Sequence, residues 1–183
     1  MNRTRIRAKT RDAAFQFRMG AGFPGDVNRT HPATIEPALN DSTNPIAAPG
    51  LACLVNTAAN TVRGIIAGDN ALTEIYGVAV RPFPFQQAAG SNYGAASFGA
   101  GSFAGGQLLD VLRRGYIMVQ IPAGVAVTKG GAVFLWYAAS SGAHVQGGFE
   151  GAATGGSTDA LSANYTFNGP ADASGVVELC CKV

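Results

Sequence analysis

At 183 residues the chain has room for one domain with a real core, and is too short to promise two. Charged side chains make up only 13% of it, about half the ~25% of an average soluble domain. That excludes a strongly charged, fully solvated surface and points to one covered by other subunits. The formal net charge of +2 hides a split: residues 1–18 hold six basic side chains against Asp12 alone, while the rest holds seven basic against ten acidic.

Twenty-five glycines and nine prolines fall short of a disordered composition and fit turns between many short strands. Three cysteines, Cys53, Cys180 and Cys181, are too few and wrongly spaced for a disulfide framework, and read as buried thiols in a reducing compartment. No apolar run approaches the ~18–20 residues that span a bilayer, and no apolar segment follows the basic start, so neither a membrane span nor a secretory signal is expected.

Taken in order, residues 1–32 show little regular pattern, and the breakers around Met19 to Asp26 predict an extended basic arm. Arg3, Arg5 and Arg7 alternate, so an extended arm presents them on one side. Residues 33–183 are expected to form a single β-rich domain. Residues 33–39 predict a first strand, which Pro37 confines to an edge. Residues 40–50 predict a loop, and residues 51–56 and 61–67 a hairpin. Residues 74–85 begin as a strand that Pro82 and Pro84 stop. Residues 90–106 form a low-complexity loop of small residues punctuated by Tyr93, Phe98 and Phe103.

Residues 107–114 fit either a short helical turn or a direct run into the next strand. Residues 115–121 (GYIMVQI) and 132–138 (AVFLWYA) are rich in β-branched and aromatic side chains. The turn-rich connection between them predicts an antiparallel pair at the centre of the fold. Residues 140–158 read as a Gly-rich loop, 163–167 as a short strand and 175–183 as a terminal strand. The fold class is all-β: a small antiparallel barrel or sandwich, jelly-roll-like, with an extended N-terminal arm.

Chemistry is hard to find. The two histidines, His31 and His144, read as ordinary surface residues, because zinc needs several ligands at matched spacing. Cys180 and Cys181 point to opposite faces of a strand and cannot share one ion. No G-x-S-x-G elbow occurs, and the glycines around 99–105 lack the G-K-[ST] ending of a phosphate loop. Asp110 and Glu150 have nothing in the sequence that pairs them. No catalytic, cofactor-binding or metal-binding residue is assigned, and no enzyme or cofactor is expected. Two contact features stand out: the basic arm with Arg3, Arg5, Arg7, Lys9, Arg11 and Arg18, and the loop with Tyr93, Phe98 and Phe103. The first suits docking by many weak charge contacts. The second suits insertion of rings into a neighbour while glycines let the backbone approach.

The succession FQFRMGAGFPGDVNR, IYGVAVRPFPFQ, DVLRRGYIMVQI, GGAVFLWY and GVVEL resembles the structural cement proteins of tailed bacteriophages, over roughly residues 15–183. The resemblance implies a small decoration protein made in the host bacterial cytoplasm. It would sit on the outer surface of the assembled capsid and bridge neighbouring copies of the major capsid protein. It also implies a homo-oligomer, dimer or trimer, at a local symmetry axis. Membrane and nucleic acid are not expected partners. The alternative reading is a self-assembling jelly-roll coat protein whose basic arm contacts nucleic acid; a carbohydrate-binding tail protein comes third.

Overall fold

A computed structural model describes residues 22–29, 33–82 and 103–182. The described residues contain ten strands, all antiparallel in their ladders, and no helix. The strands are β1 (Thr34–Leu39), β2 (Ala52–Asn56), β3 (Thr61–Gly64), β4 (Gly77–Ala79), β5 (Leu108–Gln120), β6 (Phe134–Trp136), β7 (Phe149–Glu150), β8 (Thr158–Ala160), β9 (Tyr165–Phe167) and β10 (Val176–Lys182). The all-β expectation holds, and two sheets sharing a core give it the form of a sandwich.

The larger sheet has seven strands in the order β3-β2-β4-β5-β10-β9, with β1 also paired to β5. Its axis is the 13-residue β5. The first half of β5 pairs with β1 and β4, and the second half with β10 over seven consecutive residue pairs. Residues 107–114 therefore run straight into the central strand; the helical alternative is excluded. Gly115, at φ 131°, adopts a backbone that a residue with a Cβ rarely takes, midway along the strand. β5 serves both cores: Leu109 and Val111 belong to one cluster, and Leu112, Ile117 and Val119 to the other.

The expected pairing of residues 115–121 with 132–138 does not occur. β5 lies in the large sheet, whereas β6 pairs with β7 and β8 in a separate three-stranded sheet, order β7-β6-β8. The connection between them is too long for a tight hairpin turn, and it sends Val127 into the core instead. The C-terminal strand, with Val176, Val177, Leu179 and Cys181 buried, is the better partner for β5. Residues 140–158, expected to be loop throughout, contribute β7 and the first residue of β8.

The main core lies where the two sheets meet. Leu135 and Phe149 of the small sheet pack with Leu112, Ile117, Val119, Val177 and Leu179 of the large one. Tyr165 is 2% exposed, yet its hydroxyl is satisfied: it donates to the Ile75 carbonyl at 3.0 Å and accepts from the Ile75 N–H at 3.3 Å. A second, smaller cluster gathers Ile46, Cys53, Val62, Ala79, Leu109 and Val111. At its edge Asn40 bridges to Val62, and the Asp41 N–H donates to the Val62 carbonyl at 2.8 Å. This link brings the end of β1 to β3, so β1 to β5 wrap round the small cluster. Pro37 sits mid-strand in β1, which among the described strands pairs with β5 alone, as an edge position requires.

Candidate interaction surface

Three arginines of the described surface share one construction, each with an aromatic ring under the guanidinium and a carboxylate beside it. Arg29 lies 4.5 Å from the centre of the Tyr116 ring and forks onto Glu178 at 2.8 and 2.7 Å. Arg113 lies 3.8 Å over Tyr76 and 3.6 Å from Glu36, which also accepts the Tyr76 hydroxyl at 2.9 Å. Arg81 lies 4.4 Å over Phe23 and 3.3 Å from Asp26.

The local structure explains each arrangement. Tyr116 and Arg113 stand on β5, and Glu178 and Glu36 on its neighbours β10 and β1, so the ladders bring them within reach. Asn168 adds a hydrogen bond from its side-chain amide to Glu178. The segment carrying Phe23 and Asp26 is pinned by two main-chain bonds to Met118, 2.7 and 2.9 Å. The bidentate bond that Arg29 donates to Glu178 raises the pKa of Arg29 above its ordinary value, so Arg29 stays charged at any working pH. Ring and acid hold each guanidinium in one orientation. Arginine and tyrosine fixed in advance are the side chains that carry most energy at protein interfaces, because less rotamer freedom is lost on docking.

A second polar cluster lies on the small sheet. Trp136 stacks on His144, ring centres 4.2 Å apart and planes 11° from parallel. His144 Nδ1 lies 2.8 Å from Oε1 of Glu150, a residue only 4% exposed. His144 is thus a tie that folds residues 138–148 over the sheet, not a bare surface histidine. Glu150, unpaired in the sequence reading, has this histidine as its partner. Asp110, by contrast, stands exposed on β5 and has no tie to Glu150 among the hydrogen bonds and ion pairs of the described residues.

Of the expected contact residues, Arg3, Arg5, Arg7, Lys9, Arg11, Arg18, Tyr93 and Phe98 lie outside the described residues, as does His31. Phe103 lies within them. It is half-buried against the small cluster, and its N–H donates to the Ala47 carbonyl at 3.0 Å. The arginine–aromatic sets escaped the sequence reading because their members are far apart in the chain: 149 residues separate Arg29 from Glu178. The one local signal was Arg-Arg-Gly-Tyr at residues 113–116, a basic and aromatic cluster inside a strand that is mostly apolar elsewhere.

All three cysteines are free and buried. Burial pushes the thiols of Cys53 and Cys181 up to about 12, so both are protonated and inert at neutral pH. Among the described residues no three His, Cys, Asp or Glu side chains gather as metal ligands.

The family described as XM1 gp53 minor capsid protein matches residues 13–180 of this chain. The matched span contains Arg18, Tyr93, Phe98 and Phe103, and leaves Arg3 to Arg11 outside. A chain of the solved structure described as "The capsid of Myoviridae Phage XM1" is similar in fold, with a TM-score of 0.63 at 15% identity. The likeness covers 93% of this chain and 96% of that one. A search of curated proteins finds no match.

Proposed function

The chain belongs to the XM1 gp53 minor capsid protein family, a tailed-phage capsid-associated family, and on that premise we propose that it is a cement protein of the capsid exterior. It binds the outer surface of the assembled major capsid protein shell and bridges neighbouring subunits, without chemistry. The observation that carries this reading is the set of three arginines, each fixed by a ring and a carboxylate on the described surface. These are rigid docking groups with their charge largely balanced at home, which suits specific protein contact more than attraction to nucleic acid. The low overall charge agrees. Each copy touches the shell modestly; an oligomer at a local symmetry axis touches several subunits at once and gains avidity beyond any one contact. In this reading the arm of residues 1–32, with Arg3, Arg5, Arg7, Lys9, Arg11 and Arg18, and the loop with Tyr93, Phe98 and Phe103 make further contacts with the shell.

The test is co-sedimentation with empty, expanded capsids, using the full chain, a chain starting at Met19, and the Arg29→Ala and Tyr116→Ala variants. The full chain is expected to bind saturably. Each point variant weakens binding about tenfold or more, as loss of an interface anchor does, and removal of residues 1–18 weakens it further. If the full chain fails to bind capsids but forms particles with nucleic acid, the cement reading is wrong and the self-assembling coat reading replaces it.

A further inference from the structure

The described chain runs into residues 1–21 at Gly22, and into residues 83–102 at Pro82 and Phe103. The segments at these three roots are tied to one turn of the body, Ala47 to Gly50, or to each other. Gly50 donates its N–H to the Ala79 carbonyl at 2.8 Å, which holds the turn to the end of β4. Phe103 donates its N–H to the Ala47 carbonyl at 3.0 Å. Arg81 donates its N–H to the Gly25 carbonyl at 2.9 Å, and its side chain covers the Phe23 ring and reaches Asp26.

At the centre of this meeting two Pro-Gly pairs interlock, Pro24-Gly25 of the N-terminal segment and Pro49-Gly50 of the turn. Each glycine leaves the room that the other pair's proline occupies. A Cβ on Gly25 would lie 2.5 Å from Pro49 Cβ and 2.9 Å from the Arg81 nitrogen. A Cβ on Gly50 would lie 2.8 Å from Pro24 Cβ and 3.0 Å from the Gly25 nitrogen. Both glycines have left-handed backbones, φ 88° and 80°, so an alanine at either brings strain as well as a clash. The prolines have fixed φ angles, which leaves the interlock little freedom to give way. In the sequence the two pairs read as separate turns; only the fold shows that they meet.

We propose that this interlock is a coupling hub. It ties the root of the basic arm to both roots of residues 83–102, which hold Tyr93 and Phe98, so that fixing one element in place fixes the base of the other. The hub's use rests on the reading above, in which arm and loop both contact the shell. Two elements with independent roots each lose their own freedom on docking. With the roots tied, the second docks from a base that the first has already fixed, and less freedom is lost.

The experiment follows hydrogen exchange residue by residue in the full-length chain, at the amides of Gly25, Arg81 and Phe103. Gly50→Ala wedges the interlock. Gly124→Ala is its control, because Gly124 has a similar backbone, φ 82°, with nothing among the described residues within 4 Å of an added Cβ. Gly50→Ala is expected to speed exchange at all three amides together, by about tenfold or more, and Gly124→Ala at none of them. Pro24→Ala frees the backbone of the interlock without adding an atom. It is expected to move the same three amides by less, and it decides the question should Gly50→Ala fail to fold. Exchange that quickens at Gly25 alone, with Arg81 and Phe103 as in the native chain, would mean that the arm's root is held singly, and overturns the proposal. So does an equal response to Gly124→Ala, which would make the effect a general loosening of the body. On empty, expanded capsids the native chain is expected to slow at all three amides, and slowing at Gly25 alone also overturns the coupling. A chain that binds no capsids removes the cement reading instead, while the comparison in free protein still decides the hub.

Discussion

The large sheet and the small sheet are held together by different means. In the large sheet β5 alone is laddered to β1, β4 and β10, so main-chain bonds run its length and depend little on which side chains the strands carry. The small sheet has strands of three, two and three residues, too short for its ladder to hold it. Its inner face depends on Leu135 and Phe149 in the shared core, and its outer face on the stack of Trp136, His144 and Glu150. Backbone crowding strikes hardest at a sheet held by ladders, and side-chain loss at one held by side chains.

The sharpest test of that contrast is Phe149→Ala. Phe149 is 1% exposed, and its truncation is expected to cost about 3–5 kcal/mol in denaturant unfolding, with hydrogen-exchange protection lost first in β6, β7 and β8. A cost below about 1 kcal/mol would mean that the small sheet adds little to the core, and would break the comparison. The converse is Gly77→Ala on the large sheet, where one added methyl group meets packed backbone. A Cβ there would lie 2.4 Å from Val111 Cγ1 and 2.6 Å from the Leu112 carbonyl oxygen. Overpacking of this kind costs about 1–3 kcal/mol, here with the loss spread over β2, β4 and β5. An unchanged stability would show that the ladder yields more than its contacts allow.

The same contrast decides what the sequence could tell. Strands of the large sheet were legible because runs such as GYIMVQI and GVVELCCKV, or the turn at residues 57–60, carry their own signal; Asn60 supplies the left-handed turn residue at φ 54°. β7 was not legible: two residues, Phe149 and Glu150, make no period, and their place is set by pairing with Phe134 and Leu135 from elsewhere. Pairing was misjudged where proximity in sequence stood in for it, since β5 prefers the seven-residue match offered by β10 to its nearer neighbour β6. Contact residues follow the same rule. Basic or aromatic character can be read locally, but the partnership of Arg29 with Tyr116 and Glu178 exists only once three distant segments are placed side by side.

A third means of holding appears where the end of β1 meets β3, and it predicts the smallest effect, one seen only in acid. The Asp41 carboxylate accepts the N–H groups of Thr43 and Asn44 at 2.7 and 2.9 Å on one oxygen, and the Asn56 amide and Thr61 hydroxyl at 2.7 and 3.0 Å on the other. The Asn44 N–H, then the Asn56 side chain and the Thr43 N–H, favour the charged form and pull its pKa down to about 2. An Asp in the unfolded chain titrates near ~3.9. Above that pH both states are ionised and the carboxylate's contribution is whole. As pH falls towards 2 the unfolded chain takes up a proton before the folded one does, so the contribution drains away. Asp41→Asn, which keeps the shape and removes the charge, is therefore expected to be less stable than the native chain by a constant margin from pH 7 to about 5, with the margin shrinking through the range from 4 to 2. Thermal unfolding of both proteins across that range measures it. A margin that stays flat to pH 2 would mean that the loop is held by the shape of residue 41 and not by its charge.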